Sequence, residues 1–350
     1  MKKGARFVMK KTLLIFFVSL FLSLTACSVS SEDSYSETPS EATSTESSYT
    51  ESATAPSNTV SDMELPDNVP GEILPTKSRY TDQNGDIVII PAEFTVSENK
   101  DEQTIDTGLV VIGADGSEFV WIPTTETSLA VRDFGSYFSG GTINGYYDET
   151  ELELYRDMVK STELYGGFYM GRFEASLDKD GNDNIPASKR ITGDSSNRIW
   201  VRFSPQDTAL VCQKLYTDND TVQGFFPWGI NYDTVLQWII DTGNRTAEEV
   251  SKDSSDWGNY SNNSFALGAD GNTTGKWEET KSNNIYDLAG NNWEWTQERY
   301  GSGSYVMRSG GYNLMGGACP GYSYPAAIRD PLPGNDHHPN VTFRAALYVK

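Results

Sequence analysis

Two carboxylates seven residues apart, Asp287 and Glu294, flank the turn Gly290-Asn291-Asn292. Carboxylate oxygens, together with the backbone carbonyls that a Gly-Asn turn can expose, are the hard donors that Ca²⁺ takes in preference to nitrogen or sulfur. The same residues also read as a turn capped by Glu294, with Trp293 and Trp295 alternating between core and surface. A second acidic stretch, Asp178 to Asn184, places its glycine too early for a twelve-residue calcium loop and reads as a polar turn. Soft donors are scarce: Cys27, Cys212 and Cys319, with the adjacent pair His337 and His338, are fewer than a zinc ribbon or a disulfide mesh requires. No G-x-S-x-G elbow, P-loop, HExxH helix or dinucleotide fingerprint occurs.

Short β-like runs divided by turn chemistry must position these groups. Asp86 to Ile90 follows Asn84-Gly85, and Leu109 to Ile112 joins Phe119 to Ile122 through Asp115-Gly116, a dipeptide that tolerates positive φ and favours a hairpin. Helices are predicted over Thr150 to Ser161, where Thr150 and Glu153 have capping-box spacing, and over Pro205 to Leu215, with Ser204 as cap. A third helix is predicted over Tyr232 to Asp241, whose Val235, Leu236, Trp238 and Ile239 make an apolar face. From 242 to 346 periodicity fades, and so long an irregular segment reads as the functional surface.

Four segments in order resemble the formylglycine-generating enzyme family, whose domain is a variant of the C-type lectin fold. They are Gly116 to Pro123 (GSEFVWIP), Gly167 to Glu174 (GFYMGRFE), Asn284 to Thr296 (NIYDLAGNNWEWT), and last Arg308 to Tyr312 (RSGGY) with Thr342-Phe343-Arg344. The resemblance implies an α+β fold of the formylglycine-generating-enzyme or C-type-lectin-like kind, with little regular secondary structure and long loops. It also implies a structural calcium held by the side chains of Asp287 and Glu294 and the carbonyls of Gly290 and Asn292. Catalytic members bind copper through two cysteines, and here Cys319 falls at the first position while Tyr324 stands at the second. One thiolate cannot build that site, so the resemblance leans against an enzyme, with Cys319 the candidate catalytic residue if there is one. Cys212 reads either as a small core hydrophobe or as a disulfide partner of Cys319.

The chain has 350 residues, with 27 Lys+Arg against 49 Asp+Glu and a formal net charge of -22, which argues against nucleic acid as a partner. Residues 1–26 carry Lys2, Lys3, Arg6, Lys10 and Lys11 ahead of an apolar run, and end on Leu24-Thr25-Ala26 before Cys27. This resembles the lipobox of bacterial lipoproteins and implies export, a lipid anchor on Cys27 and a place in the cell envelope. Residues 27–70, rich in Ser, Thr and Glu, read as a disordered tether. Residues 71–104 read as a β extension of open status, and 105–350 as the main domain.

The segment Gly316 to Val349 contains no Glu, Lys, Gln, Trp or Met, and every residue in it can be encoded by a codon ending in C or T. Adenine mutagenesis of Asn codons leaves such a bias, so the chain looks similar to the variable proteins of diversity-generating retroelements. A loop rich in Gly and Pro that merely lacks long side chains accounts for the same composition. On the functional reading Asn313, Leu314, Cys319, Tyr322, Tyr324, Asp336, His337 and His338 form the ligand-binding face, tyrosine supplying contact area at low entropy cost. The expected partner is an extracellular protein or glycan. The alternatives are a sulfatase-modifying oxidase or an envelope assembly component.

Overall fold

The computed structural model describes residues 60–124, 129–134, 149–177, 185–193, 198–301, 303–314 and 324–350. Cys27, Cys319, Tyr322 and the Asp178 to Asn184 turn lie outside the described residues.

The chain opens with a hairpin, β1 (Ser78–Thr81) and β2 (Ile87–Ile90), followed by β3 (Phe94–Val96). The Asp-Gly hairpin forms as its sequence requires: β4 (Val110–Gly113) pairs antiparallel with β5 (Glu118–Pro123). After α1 (Glu149–Tyr165) come β6 (Gly167–Gly171), the short β7 (Ser176–Leu177) and β8 (Pro186–Ala187), and α2 (Pro205–Cys212). Then follow β9 (Val222–Phe225), α3 (Gly229–Asp241) and α4 (Ala247–Ser251). The last part holds β10 (Trp293–Tyr300), β11 (Ser304–Arg308), β12 (Asp330–Pro333), β13 (Val341–Phe343) and β14 (Ala346–Val349). The fold is mostly sheet with few helices, as an α+β reading requires.

The central sheet has six strands in the order β3-β4-β5-β6-β14-β9, all paired antiparallel. Side chains alternate between faces along a strand, and here both faces are buried. Phe119 and Trp121 of β5 pack with Trp293, Trp295 and Phe343 of a second sheet, ordered β12-β11-β10-β13. Val120 and Ile122 of the same strand pack with Met158 of α1 and with Val235, Leu236 and Ile239 of α3.

Residues 71–104 belong to this body. Val88, Ile89 and Ile90 are fully buried, and the Tyr169 hydroxyl donates to the Ile89 carbonyl at 2.7 Å. The tether expected up to residue 70 ends earlier, because Val60, Met63 and Leu65 pack against the core and Asn68 Nδ2 donates to Ser78 Oγ at 3.0 Å. Those few apolar side chains suffice to fold the segment back. The helices also shift. Thr150 lies inside α1, so its expected capping box does not form, whereas Ser204 does cap α2 by accepting from the Asp207 N–H at 3.1 Å.

The stretch from 242 to 346 departs most from expectation, since it supplies the entire second sheet. Period-2 patterning is hidden in β10, where Glu294, Thr296, Gln297 and Glu298 are all buried. A register shift between Trp295 and Arg299 bulges the strand. Gln297 N–H there donates to the Pro227 carbonyl at 2.9 Å. Glu298 meets Gly229, the first residue of α3, where a Cβ would lie 2.1 Å from its carboxylate; only glycine fits.

Candidate functional site

The second sheet gathers four loops at one end. β10 and β13 run parallel from the pair Trp293↔Val341, so residues up to 292 and residues 338–340 enter at the same edge, whereas the Asp336 N–H donates at 3.0 Å to the carbonyl of Pro333, which pairs with Ser304 at the opposite end. β11 is antiparallel and ends with Arg308 opposite Glu294, so residues 309–314 leave there. β12 begins with Asp330 opposite Met307, which brings residues 324–329 to that edge as well.

Trp293 is the pivot of this edge. Its ring meets Tyr324 edge-on at 5.9 Å between centroids, and the Trp293 backbone N–H donates to the Asn340 carbonyl at 3.1 Å. Tyr324 is fixed further by the Tyr260 hydroxyl, which donates to its carbonyl at 2.8 Å. A Cβ on Gly311 would sit 3.1 Å from Asn313 Oδ1 and 3.2 Å from Trp293 Nε1, so Asn313 too lies beside the indole. Leu314 packs half-buried on the same core. His337 is exposed with Nδ1 3.1 Å from the Arg202 carbonyl, and His338 Nδ1 accepts from the Asn340 N–H at 3.2 Å. Asp336 is half-buried next to them.

Of the sequence-derived face, the structure therefore brings Asn313 and Tyr324 beside Trp293 and His338 to the same sheet edge through Asn340, while Leu314 packs on the core, His337 sits at the Arg202 carbonyl and Asp336 turns at the opposite end of the sheet. Sequence reasoning missed Trp293 and Tyr260 as its supports, and Arg202, whose left-handed backbone (φ 69°) turns its carbonyl to His337. No pattern flags Arg202, but the Trp of GNNWEW could have been read as an anchor. Among the described residues neither histidine is hydrogen-bonded to a nucleophilic side chain. What this arrangement offers is aromatic area, amides and imidazoles that can hydrogen-bond a ligand.

The four residues expected to hold calcium lie together, and the donor oxygens of Asp287, Glu294 and Gly290 are already matched by protein groups. Asp287 Oδ1 accepts from Asn259 Nδ2 at 3.0 Å, and Oδ2 accepts from Thr274 Oγ1 at 2.9 Å and the Gly275 N–H at 2.7 Å. Both Glu294 oxygens face Arg344, at 2.6 and 3.2 Å. The Gly290 carbonyl accepts from Ser309 Oγ, and Asn292 Nδ2 donates to the Gly271 carbonyl at 2.8 Å. Arg344 supplies the positive charge a calcium ion would bring, so the set does not fit that ion as it stands. Adding calcium or a chelator is expected to leave the thermal midpoint unmoved. A rise of several degrees with calcium would show that Glu294 exchanges Arg344 for the metal.

A third buried carboxylate adjoins them. Glu174 Oε1 accepts from the Asn292 N–H at 3.0 Å, and Oε2 accepts from Asn291 Nδ2. Burial, and then the charges of Asp287 and Glu294, push its carboxyl well above the usual range. Cys212 is wholly buried on α2, and burial pushes its thiol up as well, which suits a small core hydrophobe.

No family model matches the sequence, and no curated protein matches it. Three solved structures are similar over much of their length. CarF shares 12% identity at a TM-score of 0.38, covering 53% of this chain and 87% of its own. PvdO from Pseudomonas aeruginosa shares 12% at 0.38, covering 68% and 97%. The Treponema denticola variable protein 1 shares 13% at 0.26, covering 78% and 99%.

Proposed function

We propose that this chain is a lipid-anchored cell-surface binding protein that presents its C-terminal loops, on a scaffold of the formylglycine-generating and C-type-lectin-like kind, to an extracellular protein or glycan. One observation carries the reading: the second sheet converges four loops on Trp293, with Tyr324 seated against its ring where an oxidase of that family would set its second cysteine. Position 324 is thereby given to packing, and no other cysteine follows Cys319. The scaffold stays fixed while exposed positions such as Asn313 and His337 can change, which also suits diversification of the coding end. A reverse-transcriptase gene nearby, with a near-copy of the 3′ coding segment differing at adenines, would support that part.

The test is a screen of the full-length protein against extracellular proteins and glycans. The variant Asn313→Ala/His337→Ala is expected to weaken any hit by about ten-fold or more with its melting temperature unchanged, since both side chains reach solvent. Incubation with copper and a cysteine-containing sulfatase peptide should yield no aldehyde; turnover would overturn the proposal in favour of the oxidase.

A further inference from the structure

The only two histidines of the chain stand side by side, and their contacts require opposite tautomers. A backbone carbonyl can only accept, so His337 Nδ1, 3.1 Å from the Arg202 carbonyl, must carry a proton. A backbone N–H can only donate, so His338 Nδ1, which meets the Asn340 N–H at 3.2 Å, must be bare, with the ring proton on Nε2. The second contact closes a turn over Pro339, which has no N–H of its own. This turn delivers Asn340 to the sheet edge. The Asn340 carbonyl accepts the Trp293 backbone N–H, next to the pair Trp293↔Val341 that opens the pairing of β10 with β13. Trp293 in turn seats the Tyr324 ring.

Histidine is the side chain that ordinarily changes charge between about pH 5 and 8. Protonating His337 leaves its Nδ1–H in place, and the bond to the Arg202 carbonyl becomes charge-assisted. Protonating His338 puts a hydrogen on Nδ1 against the Asn340 N–H. Two donors then face each other, and either the turn opens or the ring swings away. The charged groups beside the pair are Asp336 in the same loop and Arg202 in the segment that His337 touches, while the strand ends at Trp293 and Val341 carry no charge. Neither imidazole makes an ion pair among the described residues. We propose that His338 is a proton-operated latch: neutral, it holds Asn340 on the Trp293 N–H; protonated, it releases residues 338–340 while His337 keeps its hold on Arg202. That acidification thereby loosens ligand binding rests on the binding-face reading above; the latch itself does not.

Proton–nitrogen correlation spectra of the full-length protein with nitrogen-15-labelled histidine read the tautomers directly, and His337→Asn assigns the two signals. At about pH 8, His337 should be the Nδ1–H form and His338 the Nε2–H form. On acidification to about pH 5, protection of the Asn340 amide against hydrogen exchange, corrected for the intrinsic rate at each pH, should fall about five-fold or more, the equivalent of one hydrogen bond. His338→Asn keeps an acceptor that can close the same turn and never ionises, so its protection should not change with pH. In His337→Asn the fall should persist. A His338 that carries its proton on Nδ1 at about pH 8, Asn340 protection that holds at about pH 5, or an equal fall in His338→Asn overturns the proposal. These readouts need no ligand, so they fail separately from the binding-face reading, which the screen above tests.

Discussion

Replacing Arg308 by Met is expected to cost about 3–5 kcal/mol of stability, because it strips one cation from a buried box of four charges. Arg308 donates to Asp233 of α3 at 2.7 Å and to Glu298 of β10 at 3.3 Å. Arg329 closes the box with Nε 2.9 Å from Glu298 and Nη2 on the other Asp233 oxygen. Asp233, Glu298 and Arg308 are fully buried and Arg329 nearly so. With both arginines present the charges cancel inside the core; with one removed, two carboxylates share a single guanidinium away from water. Arg308→Lys should rescue little, since one ammonium cannot reach both carboxylates with the fork that the guanidinium provides. The double variant Arg308→Met/Glu298→Gln restores neutrality and should recover part of the loss, a coupling that urea unfolding of the single and double variants measures. A single-variant loss below about 1 kcal/mol would show that the box contributes packing and no more.

That box explains why half of the fold was legible and half was not. The β4–β5 hairpin announces itself through Asp115-Gly116, and α3 through Val235, Leu236 and Ile239, because turn chemistry and apolar spacing act within a few residues. β10 is silent by the same criteria. Its polar residues are inward, and what makes them tolerable lies on other elements: Arg344 for Glu294, and Arg308 and Arg329 for Glu298. A buried strand that reads WEWTQERY is indistinguishable from a loop until its arginines are placed. The site shows the same division. Asn313, Tyr324 and His338 were visible as polar or aromatic residues in a loop-rich tail, whereas their convergence depends on the parallel pairing of β10 with β13, which no local pattern encodes. Asp287 and Glu294 were legible as oxygen donors for calcium, but the protein groups that meet them, Thr274, Gly275 and Arg344, come from distant or unpatterned positions.

Glu174→Gln is expected to act in the opposite direction from the usual loss of a buried glutamate. Three carboxylates, those of Glu174, Asp287 and Glu294, lie close enough to raise the proton affinity of Glu174, and the guanidinium that offsets them, Arg344, is already engaged by Glu294. Glu174 is left with neutral donors, the Asn292 N–H and Asn291 Nδ2, so the folded protein holds it protonated above its ordinary value of 4.5. The folded state then binds more protons than the unfolded chain. This carboxyl's contribution is therefore fully present below about pH 4.5 and is lost as pH rises toward the raised folded value, with a slope approaching about 1.4 kcal/mol per pH unit. Glutamine keeps an acceptor for the Asn292 N–H and never ionises. Its denaturant-unfolding stability should be flatter with pH and exceed that of the natural protein at pH 8 by about 1 kcal/mol or more. Glu294→Gln, in the same pocket, should instead destabilise, because it leaves Arg344 buried without its counter-charge. If Glu174→Gln destabilised the protein at pH 8, Glu174 would have to be ionised there, and a cation other than Arg344 would have to balance it.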